Sequence, residues 1–168
     1  MSPRVGAVVQ ARMSSQRLPG KVLAPLAGRP LLAWLLERLE HARTLDVIVV
    51  ATSDEAADDA VAGFASARGI ACHRGPLTDV AGRVLGAARA ADIDIVVRVN
   101  GDSPLLDQGL IDRGVELLID SGAQVVSNVR PRTFPPGQSV EVTWTDALEE
   151  AHARDSTQGD RAPATGPL

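Results

Sequence analysis

The chain has 168 residues, of which 45% are hydrophobic and 2% aromatic, and its formal net charge is −4 at pH 7. This length suits one domain with a substantial core, while the few aromatics and the acidic balance argue against a nucleic-acid binder. Cys72 is the only cysteine, which excludes an intrachain disulfide. The sequence shows neither a signal-peptide pattern nor a long apolar run, so we expect a cytoplasmic protein without a membrane span.

Strands and helices are predicted to alternate along the chain. Apolar runs predict five buried strands, at residues 5–10, 46–51, 70–73, 93–99 and 123–127, and an alternating stretch predicts a sixth at 139–144. A turn-rich connection is expected at 22–28. Periodic apolar residues and caps predict helices at 30–41, 54–68, 78–91, 108–120 and 146–154, with Ser53, Asp107 and Thr145 as N-terminal caps.

This alternation predicts an α/β fold of three layers with a mostly parallel, twisted sheet and right-handed crossovers. We predict one domain over residues 1–154 and a polar, disordered tail over 155–168.

The stretch from residue 10 to 21, QARMSSQRLPGK, follows the first predicted strand. It carries Arg12, Arg17 and the only lysine of the chain, Lys21, and no acidic residue precedes Glu37. Ligands of open α/β sheets bind at the carboxyl ends of strands, and cations with closely approaching backbone N–H groups hold anions. We interpret this basic loop as a phosphate site; the alternative is a solvated basic loop.

A second polar loop, Asn100-Gly101-Asp102, follows the fourth predicted strand, at the same edge of the sheet. A carboxylate there suits Mg²⁺, which prefers one or two carboxylates plus phosphate oxygens, and cations facing a metal site suit nucleotide-phosphate chemistry. The alternative is an ordinary turn. Arg74 ends the third strand at this edge and could reach a base or a phosphate, or be a surface arginine.

Three further groups are given structural interpretations. Asp79 and Arg83 lie four residues apart on a predicted helix, where an ion pair is expected. Asp58 and Asp59 are expected on a solvated helix face, and His152 on the surface of the last helix.

Five segments occur in one order: QARMSSQRLPGKVL, VVATSDEAADD, HRGPLTDVAGR, RVNGDSPLL, and VSN followed by FPPGQSVEV. Over residues 5–154 they resemble the cytidylyltransferases of spore-coat polysaccharide synthesis, relatives of the CMP-Kdo and acylneuraminate synthetases. The resemblance implies a nucleotide-diphospho-sugar transferase (GT-A-like) fold. It also implies a Mg²⁺-dependent transfer of CMP from CTP to a hydroxyl of a sugar or sugar acid, with release of pyrophosphate, and a homodimer.

The resemblance assigns roles to residues of the basic loop. Arg12, Arg17 and Lys21 would hold the triphosphate, while Ala11 and Ser15 would supply loop contacts. Arg12 and Lys21 are also expected to be catalytic.

The resemblance assigns further roles outside that loop. Arg74 and Asn100 would lie near the base, and Asp102 would bind the metal and be catalytic. Asn128 and Glu141 match positions on the acceptor side.

Three departures from the family pattern accompany the resemblance. Pro76 stands where the family usually has serine, and Gly86 replaces a usual aromatic. After residue 161 the pattern stops. Relatives continue through a strand and helix that supply a second metal-binding aspartate and part of the dimer contact, and we expect this chain to lack that portion.

Two alternatives therefore stay open beside the cytidylyltransferase. One is a nucleotide-binding or partner-binding module of the same fold without turnover. The other is a GT-A glycosyltransferase, although those usually carry an Asp-x-Asp motif where this chain has Asn100-Gly101-Asp102.

Overall fold

The computed structural model describes residues 2–15 and 17–157, with side chains as far as Arg154. The strands are β1 Val5–Gln10, β2 Pro25–Leu26, β3 Arg29–Pro30, β4 Val47–Ser53, β5 Ala71–Gly75, β6 Ile95–Asn100, β7 Val125–Ser127 and β8 Glu141–Trp144. The helices are α1 Leu31–Leu39, α2 Asp59–Ala67, α3 Val80–Ala90, α4 Gln108–Ser121 and α5 Thr145–Thr157. The predicted alternation of strands and helices is confirmed.

Six strands form one sheet in the order β5-β4-β1-β6-β8-β7. The neighbours β5, β4, β1 and β6 run parallel, while β8 is antiparallel to both β6 and β7. The mostly parallel sheet is therefore as predicted. The antiparallel edge follows from the long, proline-containing return between β7 and β8, which brings the chain back against β6.

Helices cover both faces of the sheet. Ala7 and Val9 of β1 pack on one face, in a cluster with buried side chains of α1, α2 and α4. Val8 packs on the other face, in a cluster with side chains of α3 and α5. Because successive residues of β1 enter opposite clusters, the strand has to be apolar throughout. The predicted three-layer architecture is confirmed.

The turn-rich connection predicted after the basic loop contains the turn of a hairpin. β2 and β3 pair antiparallel, and the two residues between them, Ala27 and Gly28, have positive φ angles of 50° and 80°. Such a turn matches the twist of paired strands. Strands of two residues are too short to show an alternating pattern, so the sequence did not reveal them, and α1 begins at Leu31 instead of Pro30.

The connection between β4 and α2 also differs from the prediction. β4 continues to Ser53, and α2 begins at Asp59, so Ser53 is a strand residue and not a helix cap. Its N–H and hydroxyl donate to the carboxylate of Asp58. The solvated-face prediction is right for exposed Asp59 but wrong for Asp58, which is only 1% exposed, because its acceptor oxygens are used inside the protein.

The last helix begins one residue earlier than predicted. Thr145 is its first residue, and its hydroxyl donates to the carbonyl of Ile93. α5 ends three residues inside the predicted tail, and residues 158–168 of that tail lie outside the described residues. Within the described ranges, every helix is too short or too polar to cross a membrane.

Candidate functional site

The basic loop and the Asn100-Gly101-Asp102 loop leave the same edge of the sheet. β1 and β6 are parallel neighbours, and Gln10 lies opposite Asn100 in their register. The loops then touch, because the Gly101 N–H donates to the Gln10 carbonyl at 2.8 Å. A Cβ at Gly101 would lie 2.8 Å from that oxygen and 2.9 Å from the Ala11 Cβ, so this close approach requires glycine. The two loops share one edge, as predicted.

A cavity of about 620 Å³ opens between these loops and the start of α3. Its lining residues are Gln10, Ala11, Arg12, Ser15, Arg17, Lys21, Val80, Arg83, Arg98, Asn100 and Asp102. Seven of the eight residues predicted for the site are in this set, and Arg74 is not. Among the described residues, the lining contains five cationic side chains and one carboxylate, so the cavity is suited to a polyanionic ligand of small-molecule size.

The main chain of the basic loop folds back on Met13. The N–H groups of Ser15 and Gly20 donate to the Met13 carbonyl at 2.9 and 2.8 Å. Gly20 has a φ of 72°, and a short 3-10 turn then begins at Lys21. This closure returns the chain to the cavity, where the Lys21 ammonium contacts the Asp102 carboxylate in an ion pair.

Four of the described cavity-lining residues, Gln10, Val80, Arg83 and Arg98, were not predicted from the sequence, and Arg83 of α3 is the most deeply buried cation among them. It is 4% exposed, and its guanidinium donates to the carbonyls of Pro76 and Leu77 at 2.6 and 3.3 Å. Its Nε is buried and has no hydrogen-bond partner in the described part of the chain. Burial lowers the pKa of Arg83, and the nearby charge of Arg12 lowers it further. A buried cation whose hydrogen bonds go to neutral carbonyls, and which keeps an unused donor, favours an anionic ligand.

The ion pair predicted between Asp79 and Arg83 does not form. Asp79 caps α3 by accepting from the Gly82 N–H at 2.8 Å, and its carboxylate also lies 3.1 Å from Nε2 of His152. Because a cap residue turns its side chain back toward the helix amides, Asp79 points away from the next turn. His152, expected on the surface, is partly buried in this contact. Arg83 lies one helical turn after Asp79, which caps the start of α3 at the edge of the sheet that carries the two loops. This position was the sequence signal that could have indicated Arg83 as a site residue.

Arg74 lies apart from the cavity lining. Its guanidinium donates to the carbonyls of Ser53 and Glu55, each at 3.0 Å, and pairs with the Asp59 carboxylate at 2.6 Å. These contacts hold the connection between β4 and α2. A role for Arg74 near the base stays a prediction.

A row of polar side chains crosses three strands beside the cavity. Arg98 donates to Glu141 at 3.1 Å and to the Gln10 side-chain oxygen at 3.5 Å. Burial raises the pKa of the Glu141 carboxyl, and the charge of Arg98 opposes the rise. Among the described residues, the buried Gln10 Nε2 and Glu141 Oε1 have no hydrogen-bond partner. The row therefore keeps one donor and one acceptor unused.

Asn128, matched to the acceptor side by resemblance, has both ends of its amide bonded to main chain. Its Nδ2 donates to the Gln138 carbonyl at 2.7 Å, and its Oδ1 accepts from the Val140 N–H at 2.9 Å. The Asn128 side chain thus fixes the main chain of residues 138–140, directly before β8.

The metal prediction rests on Asp102 alone. The described residues contain no group of three or more His, Cys, Asp or Glu side chains that could hold a metal ion. Asp102 is about one-third exposed at the cavity. One carboxylate fits a Mg²⁺ ion shared with ligand phosphates, and does not fit a metal held by the protein alone.

Comparison with known proteins agrees with the resemblance. The model of the cytidylyltransferase family matches residues 7–161. The chain is 39% identical over 129 residues to a 3-deoxy-manno-octulosonate cytidylyltransferase of Anaeromyxobacter dehalogenans (strain 2CP-C), covering 76% of this chain and 52% of that protein. It is 34% identical over 120 residues to the spore coat polysaccharide biosynthesis protein SpsF of Bacillus subtilis (strain 168), covering 69% and 50%. The chain thus spans about half the length of these two relatives.

Solved structures show the same fold. A cytidylyltransferase from Leptospira borgpetersenii serovar Hardjo-bovis superposes with a TM-score of 0.86 at 34% identity, over 96% of this chain and 67% of that one. The family model covers nearly the whole chain, including the loops that line the cationic cavity. This protein therefore belongs to the cytidylyltransferase family.

Proposed function

We propose that the protein transfers CMP from CTP to a hydroxyl of a sugar or sugar acid, with release of pyrophosphate, in the synthesis of a glycan. The observation that carries this proposal is the cavity with five cations and one carboxylate at the carboxyl ends of β1 and β6. A triphosphate is the common biological ligand with a matching charge. Membership of the cytidylyltransferase family supports CTP as the donor.

The chemistry asks the protein mainly for position and charge. The acceptor hydroxyl attacks the α-phosphorus with loss of its proton, and the bond to the β-phosphate breaks. Pyrophosphate leaves with the bonding electrons, so negative charge grows on its oxygens. Arg12, Arg17 and Lys21 line the cavity and would stabilise that charge, and buried Arg83 would add a cation from α3.

Without a ligand, the ion pair between Lys21 and Asp102 balances the charges of these two side chains. Each group neutralises the other until a ligand enters. Phosphate oxygens would then take the ammonium, and Asp102 would become available to hold Mg²⁺ together with those oxygens. A magnesium ion there would neutralise phosphate charge.

The acceptor has a suitable neighbour in the row of Gln10, Arg98 and Glu141. A sugar offers hydroxyls that both donate and accept, which suits a paired cation and carboxylate with unused polar atoms. The related enzyme from Anaeromyxobacter dehalogenans carries the name of a sugar acid, which supports a sugar acid as acceptor. A cytoplasmic location and a homodimer remain predictions from the sequence.

The experiment is a panel of the four nucleoside triphosphates with Mg²⁺, scored by the melting temperature and by pyrophosphate release with a set of sugar acids. A ligand at a hundred times its dissociation constant stabilises the folded state by about 2.7 kcal/mol. We expect the largest rise for CTP. If no triphosphate raises the melting temperature, the nucleotide site is wrong; if another base binds best, the family function does not hold for this chain.

A second candidate is a nucleotide-binding module without turnover. It is favoured by Asp102 being the only carboxylate among the described cavity-lining residues, which leaves one protein ligand for a metal. Calorimetric CTP binding with no pyrophosphate from any acceptor would support it.

A further inference from the structure

Asp58 joins the basic loop to the connection between β4 and α2. Its Oδ1 accepts from the Met13 N–H at 2.6 Å, and its Oδ2 accepts from the Ser53 N–H at 3.1 Å and from the Ser53 hydroxyl. The carboxylate is buried and is not part of the cavity lining. Two segments far apart in sequence therefore meet on one side chain.

Met13, whose N–H donates to Asp58, also closes the basic loop through its carbonyl. The Met13 carbonyl receives the N–H groups of Ser15 and Gly20. Arg12 directly precedes Met13, and Lys21 directly follows Gly20. A fixed Met13 therefore sets the positions of two cations on opposite sides of the loop.

The charge of Asp58 is retained in the folded protein. Burial raises the pKa of its carboxyl, but the hydrogen bonds from Met13 and Ser53 outweigh burial and leave the pKa below its ordinary value. The same negative charge raises the pKa of Arg83, which shows that it lies within electrostatic reach of the cavity. Removing this charge alone would make the cavity more positive.

We infer that Asp58 is a positioning residue for nucleotide binding, which acts through Met13 to hold Arg12 and Lys21 where a triphosphate can meet both. This inference rests on the proposed function. Asp58 itself touches no substrate, and its contribution is the geometry of the loop.

The chain contains a matched control in Asp112. This aspartate is also buried, at 5% exposure, and accepts from the N–H and hydroxyl of Thr44 at 3.0 and 2.9 Å. It holds the connection before β4, at the opposite edge of the sheet. Asp112 also pairs with Arg43 at 3.2 Å. Asp58 and Asp112 thus each hold a loop by accepting from a main-chain N–H and a hydroxyl.

The test compares Asp58→Asn with Asp112→Asn in the full chain. The N–H groups of Met13 and Ser53 donate to different oxygens of Asp58, and an asparagine replaces one of these oxygens by an NH₂ group, so in the same orientation one of the two N–H groups loses its acceptor. We expect both variants to lower the melting temperature, and only Asp58→Asn to weaken CTP–Mg²⁺ affinity in calorimetry, by about tenfold, which is the loss expected for one charge-assisted hydrogen bond. The KM for CTP should rise in the same variant alone.

The sign of the change separates geometry from charge. If Asp58 acted only as a nearby negative charge, its loss would tighten binding of an anion, whereas a loosened loop weakens it. Tighter or unchanged CTP affinity in Asp58→Asn, with a melting temperature as low as that of Asp112→Asn, would overturn the inference. Wild-type protein that binds no nucleotide would instead reject the proposed function.

Hydrogen exchange of the wild type supplies a test that needs no variant. The amide hydrogens of Met13 and Gly20 should exchange much more slowly than in an unstructured peptide. Exchange of the Met13 amide at the unprotected rate would show that the anchor does not exist, whatever the protein binds.

Discussion

The two edges of the sheet carry opposite charge, and only one is suited to a phosphate ligand. At the carboxyl ends of the parallel strands, a cavity of about 620 Å³ is lined by five cations and one carboxylate. At the amino ends, a larger cavity of about 1190 Å³ is lined by Asp46, Asp92, Asp94, Asp146 and Glu149, with Arg4 as the one basic side chain among its described lining residues. Cavity size therefore favours the amino-end edge as a ligand site, whereas charge favours the carboxyl-end edge for a phosphate ligand.

Charged groups are also used differently at the two edges. Asp94 accepts from the Arg4 N–H at 2.7 Å, and Asp46 accepts from the Val5 N–H at 2.8 Å. These carboxylates therefore bind main-chain N–H groups at the start of β1. Arg83, in contrast, keeps a buried donor without a partner in the described part of the chain. A buried polar group with a hydrogen-bond partner stabilises the fold, whereas one without a partner is available to bind a ligand.

The most severe test of this difference is Lys21→Ala. Because the ammonium stabilises charge on the departing pyrophosphate, we expect turnover with CTP to fall at least about a hundredfold. The control is Arg4→Ala, which removes a cation of the same basic segment at the opposite edge and should leave turnover unchanged. Pyrophosphate release measures both, and near wild-type turnover in Lys21→Ala would contradict the assigned mechanism.

A second test uses two arginines of α3 that face opposite edges. We expect Arg83→Met to weaken CTP binding by about 2 kcal/mol, or roughly thirtyfold, because a charge-assisted hydrogen bond to phosphate is lost. Arg89 pairs with Glu149 at the other edge, so Arg89→Met should leave the affinity as it was.

Calorimetry with CTP–Mg²⁺ measures the affinity of both variants. Arg83→Lys, which keeps the charge but not the planar donor set, should recover part of the loss. Equal affinities of Arg83→Met and Arg89→Met would remove Arg83 from the site.

The smallest expected effect is on the pH dependence of stability, to which Asp58 and Asp112 should contribute alike. Hydrogen bonds hold the pKa of Asp112, like that of Asp58, below its ordinary value of 3.8. A carboxyl with a depressed pKa in the folded state stabilises the protein above its unfolded pKa, and that contribution is lost as the pH falls through the folded value.

Urea unfolding of the wild type should therefore show stability that declines below about pH 4. Asp58→Asn and Asp112→Asn should each make that decline shallower. An unchanged acid slope in both variants would mean that neither carboxylate is stabilised as described.

The sequence by itself determined the order of strands and helices, the three-layer fold and the placement of two polar loops at one edge. Those features follow from local apolar patterns and from parallel connections, which bring the carboxyl ends of strands together. Gln10 and Asn100 end such strands, so their loops had to lie at one edge, whereas the contact between them depends on β1 and β6 being neighbours in the sheet.

Only the tertiary structure decided the roles of Asp58, Arg83 and Arg74. Each is a charged residue near the edge of the sheet, and the residues beside it in the sequence do not identify its partners in space. Asp58 meets Met13 across 45 residues, Arg83 is buried against carbonyls beside the cavity, and Arg74 bonds to the main chain of another strand. The partner of a charged group is chosen by packing between distant segments, because the cost of burying charge depends on what surrounds it in space.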